Sequence, residues 1–402
     1  MARSGGWPGR PARVAFGLSL GSVVALGLGR FAYTLLLPPM RADLGWSFAQ
    51  AGAMNTASSV GYLVGAVAAG PVVARAGGRR PYLGGLATTA LAVMASGAST
   101  DFPVLLVLRL LTGATGAVVF VAGAGLAAAL VADLAPGRSA ALLGTYFAGP
   151  GLGIVISAVV VPPVLNLDAG GQWRLGWVVL GVVSLLATAG ATPAALRAPE
   201  PATGGGHGLL GWPVRRLAPT LVGYGLFGAG YIGYATFIVA FLTVQGLDAG
   251  TVSAFWAVLG AATVIAAFAW GPPLGRLRGG RGPATVLTMV TVGAALPLVV
   301  AGTIGAFASG VLFGGGFCAV VTAVVNLARR SLPPARLGPA IALLTIVFGV
   351  AQSLGPVLSG MLSDGPFGIR AGLGLSAVLL AAATVAALLQ RTIPAAESGT
   401  RE

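Results

Sequence analysis

Gly27-Leu-Gly-Arg30-Phe-Ala-Tyr33 and Gly228-Ala-Gly-Tyr231-Ile-Gly-Tyr234 are two versions of one heptapeptide, 201 positions apart. Gly70-Pro-Val-Val-Ala74-Arg75 and Gly271-Pro-Pro-Leu-Gly275-Arg276 are separated by the same interval. Two unrelated stretches with one offset identify a duplicated unit whose halves carry the same parts in the same order. Aligning the halves singles out Arg30, a cation inside an apolar run, which the second copy replaces with tyrosine. A charge at membrane depth costs several kcal/mol, so its presence points to a task.

Apolar residues make up 56% of the 402-residue chain and charged residues 8%, far below the roughly one quarter of a soluble domain. Apolar runs of about 20 residues fill most of the length, which makes the chain a polytopic membrane protein. Twelve spans are predicted, at 14–38, 48–71, 82–99, 103–131, 139–162 and 174–195, then 217–244, 250–272, 284–301, 303–327, 339–361 and 371–390. Residues 1–196 form an N-terminal six-helix bundle and residues 217–402 a C-terminal one. The joining segment 197–216, with Pro199, Pro201, Gly204–Gly206 and Pro213, is too polar and too rich in breakers to span.

All 23 basic residues are arginine, and the formal charge is +14. Arginines 75, 79, 80, 138, 215, 216, 276, 278, 281, 329, 330 and 336 fall on one set of connections, and both termini add more. The alternate connections hold Asp43, Asp101, Asp168, Asp248 and Asp364 with only Arg41, Arg174 and Arg370. The positive-inside rule then places both termini and the 197–216 linker in the cytoplasm of a bacterial-type inner membrane. Topology accounts for the arginines better than nucleic-acid binding does. The arginines before the first span precede no small-residue cleavage site, so that span reads as a retained helix rather than a secretory signal. The single Cys318 and the isolated linker residue His207 argue against a disulfide, a metal site and a cofactor.

The carboxylates Asp43, Asp101, Asp133, Asp168, Asp248, Asp364, Glu200, Glu397 and Glu402 fall at helix ends, in loops or in the tail, and none in mid-membrane. Carriers of cations need such a group; this chain has two buried cations instead, Arg30 and Arg109. On an ideal helix Tyr33 and Thr34 share the face of Arg30, which predicts one polar stripe. Tyr224, Tyr231 and Tyr234 share a side of the seventh helix. Arg30 and Tyr231 are repeat equivalents, so they are expected to face each other as a clamp: a guanidinium fork for a carboxylate, and a hydroxyl beside an aromatic wall. Asn55, Tyr146 and Gln352 are further candidate cavity polars. Each has a plainer reading. Arg30 and Arg109 could bond carbonyls, the tyrosines could pack between helices, and amides and phenols bond across membrane helices for stability alone.

The six-plus-six plan resembles the major facilitator superfamily, an all-α membrane fold of 12 transmembrane helices in two pseudo-symmetric bundles. Gly70-x-x-x-Ala74-Arg75-x-Gly77-x-Arg79-Arg80 is similar to that family's signature after the second helix, and Gly271 and Arg276 repeat part of it. Arg109-x-x-Thr112-Gly113-x-x-Gly116 resembles the fourth-helix motif, and Gly149-Pro150-x-x-Gly153 the fifth-helix motif often found in exchangers. Gly-Leu-Gly-Arg-Phe-x-Tyr-Thr looks closest to a poorly characterised bacterial subgroup. One departure concerns gating: the family's acid after the second helix is Ala74 here, and Gly275 in the second half. The arginines around it also serve as plain positive-inside anchors.

The resemblance implies a monomeric secondary transporter whose first, fourth, seventh and tenth helices line a central cavity, with no cofactor. The leading expectation is a small organic anion, such as a carboxylate, moved by alternating access. Coupling would be exchange, facilitated diffusion, or symport with a proton carried on the substrate. The rival is efflux of hydrophobic or neutral drugs, favoured by the Gly149-Pro150 motif. A non-transporting sensor is a more distant alternative. An enzyme is disfavoured because no acid–base pair or metal site can be assembled.

Overall fold

A computed structural model of the chain describes residues 10–167, 172–201 and 217–391. Asp168, His207, Arg215, Arg216, Glu397 and Glu402 lie outside them, as does most of the expected linker. The N-terminal bundle comprises α1 (Pro11–Leu44), α2 (Phe48–Ala76), α3 (Arg79–Ala95), α4 (Phe102–Leu130), α5 (Pro136–Leu165) and α6 (Gln172–Arg197). The C-terminal bundle comprises α7 (Ala218–Val244), α8 (Ala249–Ala269), α9 (Arg281–Val299), α10 (Gly302–Ser331), α11 (Pro334–Ser363) and α12 (Ile369–Leu388). Among the described residues, eleven helices are long and apolar enough to cross a membrane. With 17 residues, or about 26 Å of rise, α3 is the twelfth.

Two expected boundaries move. Helix α1 continues through Pro38 and Pro39 to Leu44, and α2 continues through Gly70 and Pro71 to Ala76. A proline removes one backbone bond, and close-packed neighbours keep the helix intact. Gly70 and Arg75 therefore belong to the last turns of α2 rather than to a loop, and Gly271–Arg276 is itself a short helix. The turn proper is Gly77–Gly78, with Gly77 at φ 75°, a conformation suited to a residue without Cβ. Arg79 and Arg80 open α3.

Several loop acids cap helices. Asp101 caps α4 by accepting from the Val104 amide, and Asp248 caps α8 by accepting from Thr251. Bonds from the Thr251 hydroxyl and amide hold the Asp248 carboxyl below its ordinary range. Ser47 and Gln50 form a capping box on α2. Glu200, beyond α6, accepts from the amides of Gly78 (2.6 Å) and Arg79 (3.4 Å) and pairs with the Arg79 guanidinium at 3.4 Å. A carboxylate from the far end of the bundle thus meets the α3 N-terminus, where Ala74 leaves α2 without one.

The two bundles meet most intimately at the end where α1 and α7 finish. Asp364, after α11, accepts from the Phe48 and Ala49 amides at the start of α2 (2.7 and 2.9 Å). Deeper in, Thr56 donates to the Ser353 carbonyl, Thr34 to the Ala235 carbonyl, and Asn55 to the Thr236 hydroxyl. Between α5 and α8, Ser253 donates to the Ala158 carbonyl and Trp256 to the Ser157 hydroxyl. These bonds form a seal on one side of Arg30, the side away from the chain termini.

Candidate functional site

Helix α1 is wound in three parts: α over Arg10–Ser22, π over Val23–Phe31, and α again over Tyr33–Leu44. The wide turn shows in the Ala32 amide, which bonds the Gly27 carbonyl five residues back at 2.9 Å. Glycine makes room for it. A Cβ on Gly27 would stand 2.5 Å from the Gly153 Cα, so α1 and α5 touch backbone to backbone. Gly149 lies equally tight against Ser22, and α5 is interrupted at Ala148, between Phe147 and Gly149-Pro150. The fifth-helix motif therefore seats the π segment.

Arg30 emerges near the end of that segment, 4% exposed, and reaches across the bundle interface. Its Nη2 donates to Ser59 Oγ on α2 (2.8 Å) and to Gln352 Oε1 on α11 (2.9 Å). The guanidinium stands over the Tyr62 ring, 5.3 Å from its centroid, a cation–π distance. The Tyr231 hydroxyl donates to the same Gln352 oxygen at 3.2 Å. Arg30 and its repeat equivalent thus converge on one acceptor. Every hydrogen-bond partner of Arg30 is neutral. Among the described residues, Arg30 Nε and Gln352 Nε2 are both buried without a partner, as is Arg109 Nε within the N-terminal bundle.

The C-terminal side of the site is a stack of rings. Tyr224 and Phe348 lie 4.8 Å apart at 21°, Phe227 and Tyr231 5.0 Å at 20°, and Tyr231 and Phe348 5.7 Å at 14°. Phe317 of α10 continues it, stacked on Tyr231 and edge-on to Phe31 of α1. Tyr224 and Phe227 precede Tyr231 on α7, Phe348 precedes Gln352 on α11, and Tyr62 follows Ser59 on the oppositely running α2. All are displaced from Arg30 toward the end bearing the termini, opposite the seal. Tyr62 and Phe348 are only half-buried there.

The remaining expected residues divide among other tasks. Arg109 is fully buried inside the N-terminal bundle, its Nη1 on the Gly29 carbonyl at 2.6 Å and its Nη2 on Asn55 Oδ1 at 3.3 Å, between the rings of Tyr33 and Trp177. Tyr33 donates to the Ala51 carbonyl and stacks on Trp177; Tyr234 bonds Ser309 at 2.5 Å. Thr34 and Asn55 bond across to α7 within the seal. The polar stripe expected along Arg30, Tyr33 and Thr34 is therefore split three ways, because the π turn breaks the 3.6-residue count on which it rested. Tyr146 belongs to a separate apolar cluster with Leu18, Tyr82 and Leu126, donates to the Phe120 carbonyl, and is not brought to Arg30.

Ser59, Tyr62, Phe348 and Phe317 were not singled out in the sequence. Tyr62 lies one helical turn from Ser59, and Phe348 one turn from Gln352; that spacing beside a polar residue was the available signal.

A family model described as "Uncharacterised MFS-type transporter YbfB" matches residues 22–388. A chloramphenicol resistance protein of Streptomyces lividans is 33% identical over 162 residues, a match covering 39% of this chain and 37% of that protein, so little more than a third of the relative is involved. Among solved structures, the nucleoside transporter NupG aligns with a TM-score of 0.72 at 14% identity, over 93% of this chain and 97% of that one. A bacterial homologue of the human lysosomal transporter Spinster, inward-facing and occupied, gives 0.71 at 17% identity, over 96% and 97%. At such identities the likeness is one of fold.

Proposed function

The chain belongs to the MFS-type transporter family, and from that premise we propose that it carries a small organic anion, such as a carboxylate, by rocking its two bundles about Arg30. One observation carries this reading: a buried guanidinium whose protein partners, Ser59, Gln352 and the Tyr62 ring, are all neutral. A buried charge is costly without a counter-charge, and Arg30, unlike Arg109, bonds across both bundles, where a cargo can supply the negative sign. The described carboxylates cannot, since Asp43, Asp101, Asp133, Asp248, Asp364 and Glu200 stand at helix ends or in connections.

The arginine distribution argues for termini in the cytoplasm of an inner membrane. On that orientation the seal faces outward and the ring-lined approach opens inward. Exchange, facilitated diffusion and symport of a proton on the substrate's own carboxyl all fit the site. A second reading, efflux of neutral aromatic drugs, draws support from the ring stack and from the partial likeness to a chloramphenicol resistance protein.

Uptake of labelled monocarboxylates into proteoliposomes decides between them. Arg30→Gln should lower anion flux by about 100-fold or more, a loss of roughly 3 kcal/mol in the range for truncating a buried charged partner. The variant should elute and melt within a few degrees of the parent. Undiminished flux would remove Arg30 from the site, and resistance to neutral drugs that survives the substitution would favour the second reading.

A further inference from the structure

Resting on the anion reading above, we infer that the cargo is an aromatic monocarboxylate, with its carboxylate held by Arg30 and Gln352 and its ring laid against the wall formed by Tyr224, Phe348 and Tyr231.

The polar end follows from hydrogen-bond accounting. Gln352 Oε1 already accepts from Arg30 and Tyr231, which fixes the amide so that Nε2 is the idle group. Arg30 Nε is idle as well, and both are buried. Two idle donors on side chains that share one bond, with Gln352 Oε1 already engaged, call for a ligand that only accepts. A carboxylate offers two such oxygens, whereas an ammonium or a hydroxyl-rich sugar would bring donors with nowhere to go. Buried groups left unmade in a native protein ask for an occupant, and these two ask for the same one.

Single charge follows from the other arginine. Arg109, whose Nε is also without a partner, is held by Gly29 and Asn55 between the rings of Tyr33 and Trp177 inside its own bundle and shares no bond with the Arg30–Gln352 pair. One guanidinium remains, so the second carboxylate of a diacid would be buried without a counterion.

The ring follows from the wall. Tyr224, Phe227, Tyr231 and Phe348 present near-parallel planes, 14–28° apart in the pairs that Phe348 makes with the other three. Phe348 and Tyr62 keep part of their surface free. A flat ring entering between them gains stacking beyond what its area alone provides, which an aliphatic chain of equal size does not. The order along the helices suits this pose: the rings come first from the termini end and the guanidinium last.

Isothermal titration calorimetry on the full-length chain in nanodiscs tests the assignment with four probes: benzoate, cyclohexanecarboxylate, benzamide and phthalate. Benzoate should bind about three- to tenfold more tightly than cyclohexanecarboxylate, the share expected of stacking, and well above benzamide and phthalate. Phe348→Leu should erase the preference for benzoate over cyclohexanecarboxylate, and Phe348→Tyr should restore it. Equal affinity for benzoate and cyclohexanecarboxylate would overturn the aromatic assignment while leaving the anion reading intact, provided Arg30→Gln still abolishes binding of both. Phthalate binding as tightly as benzoate would overturn the single charge. Benzamide matching benzoate, with Arg30→Gln silent, would overturn this inference and the anion reading together. Binding by none of the four would overturn the assignment.

Discussion

Helices α1 and α7 carry two versions of one heptapeptide, and comparing them separates two kinds of position. Where they agree, at Tyr33 and Tyr234, each phenol ties into its own bundle, one on the Ala51 carbonyl and the other on Ser309. Where they differ, at Arg30 and Tyr231, the arginine crosses to the C-terminal bundle and meets the tyrosine at Gln352 of α11. The winding differs too. Helix α7 is unbroken α from Ala218 to Val244, whereas α1 carries the π segment. Arg109 supplies the Gly29 carbonyl of that segment with a donor; the matching position on α10 is Gly310, which packs against Phe255 of α8, and α7 has no wide turn to mend. At this pair of positions, the tyrosine kept by both halves bonds within its own bundle, and the residue that diverged stands at the proposed site.

The strongest challenge to this contrast is Arg109→Leu. It should destabilise the fold by about 3–5 kcal/mol, since it strips the donor from Gly29 and Asn55 and empties the space between Tyr33 and Trp177. Thermal unfolding in detergent would show a melting temperature far below that of Arg30→Gln. A normally melting Arg109→Leu that no longer binds anions would move Arg109 from frame to site.

The paired substitutions Tyr33→Phe and Tyr234→Phe come next. Each removes one buried hydroxyl bond and should cost about 1 kcal/mol, with transport retained. A large loss of flux in one and not the other would break the symmetry of the frame. Asp364→Ala probes the seal, where it strips two amides of α2 of their partner. The cost to the sealed state should be about 1 kcal/mol, a roughly fivefold shift in the balance of open and closed forms. Spin-label distances between α2 and α11 at that end would report the shift; an unmoved distribution would show that the seal rests on packing alone. Smallest of all, Asp248→Ala should lower the melting temperature slightly through loss of its cap on α8, with anion binding unchanged by calorimetry.

The fold was legible because hydropathy writes membrane spans in long, unambiguous runs, and a duplicated sequence writes its own alignment. The expected ends failed where proline was taken as a stop, at Pro38-Pro39 and Gly70-Pro71, since tertiary packing carries a helix across a missing bond. Arg30, Tyr231 and Gln352 stood out because polar groups are rare in an apolar helix. Ser59, Tyr62 and Phe348 did not, because serines and aromatics are ordinary in such helices and only contact distinguishes them. Asp364 looked like a loop acid; nothing local announces a partner 316 residues away in sequence. The π turn was hidden for a different reason: counting faces assumes the very periodicity that the segment departs from.

Between the bundles, α5 and α8 touch through Gly151 and Gly260, where an added Cβ would come within 2.7–2.8 Å of the opposite carbonyl oxygen. The contact is main chain at its centre, with Ile154, Val155 and Thr263 packed around it. The rocking proposed above would pivot where the backbones meet, leaving the polar latches at the rim to set its tempo.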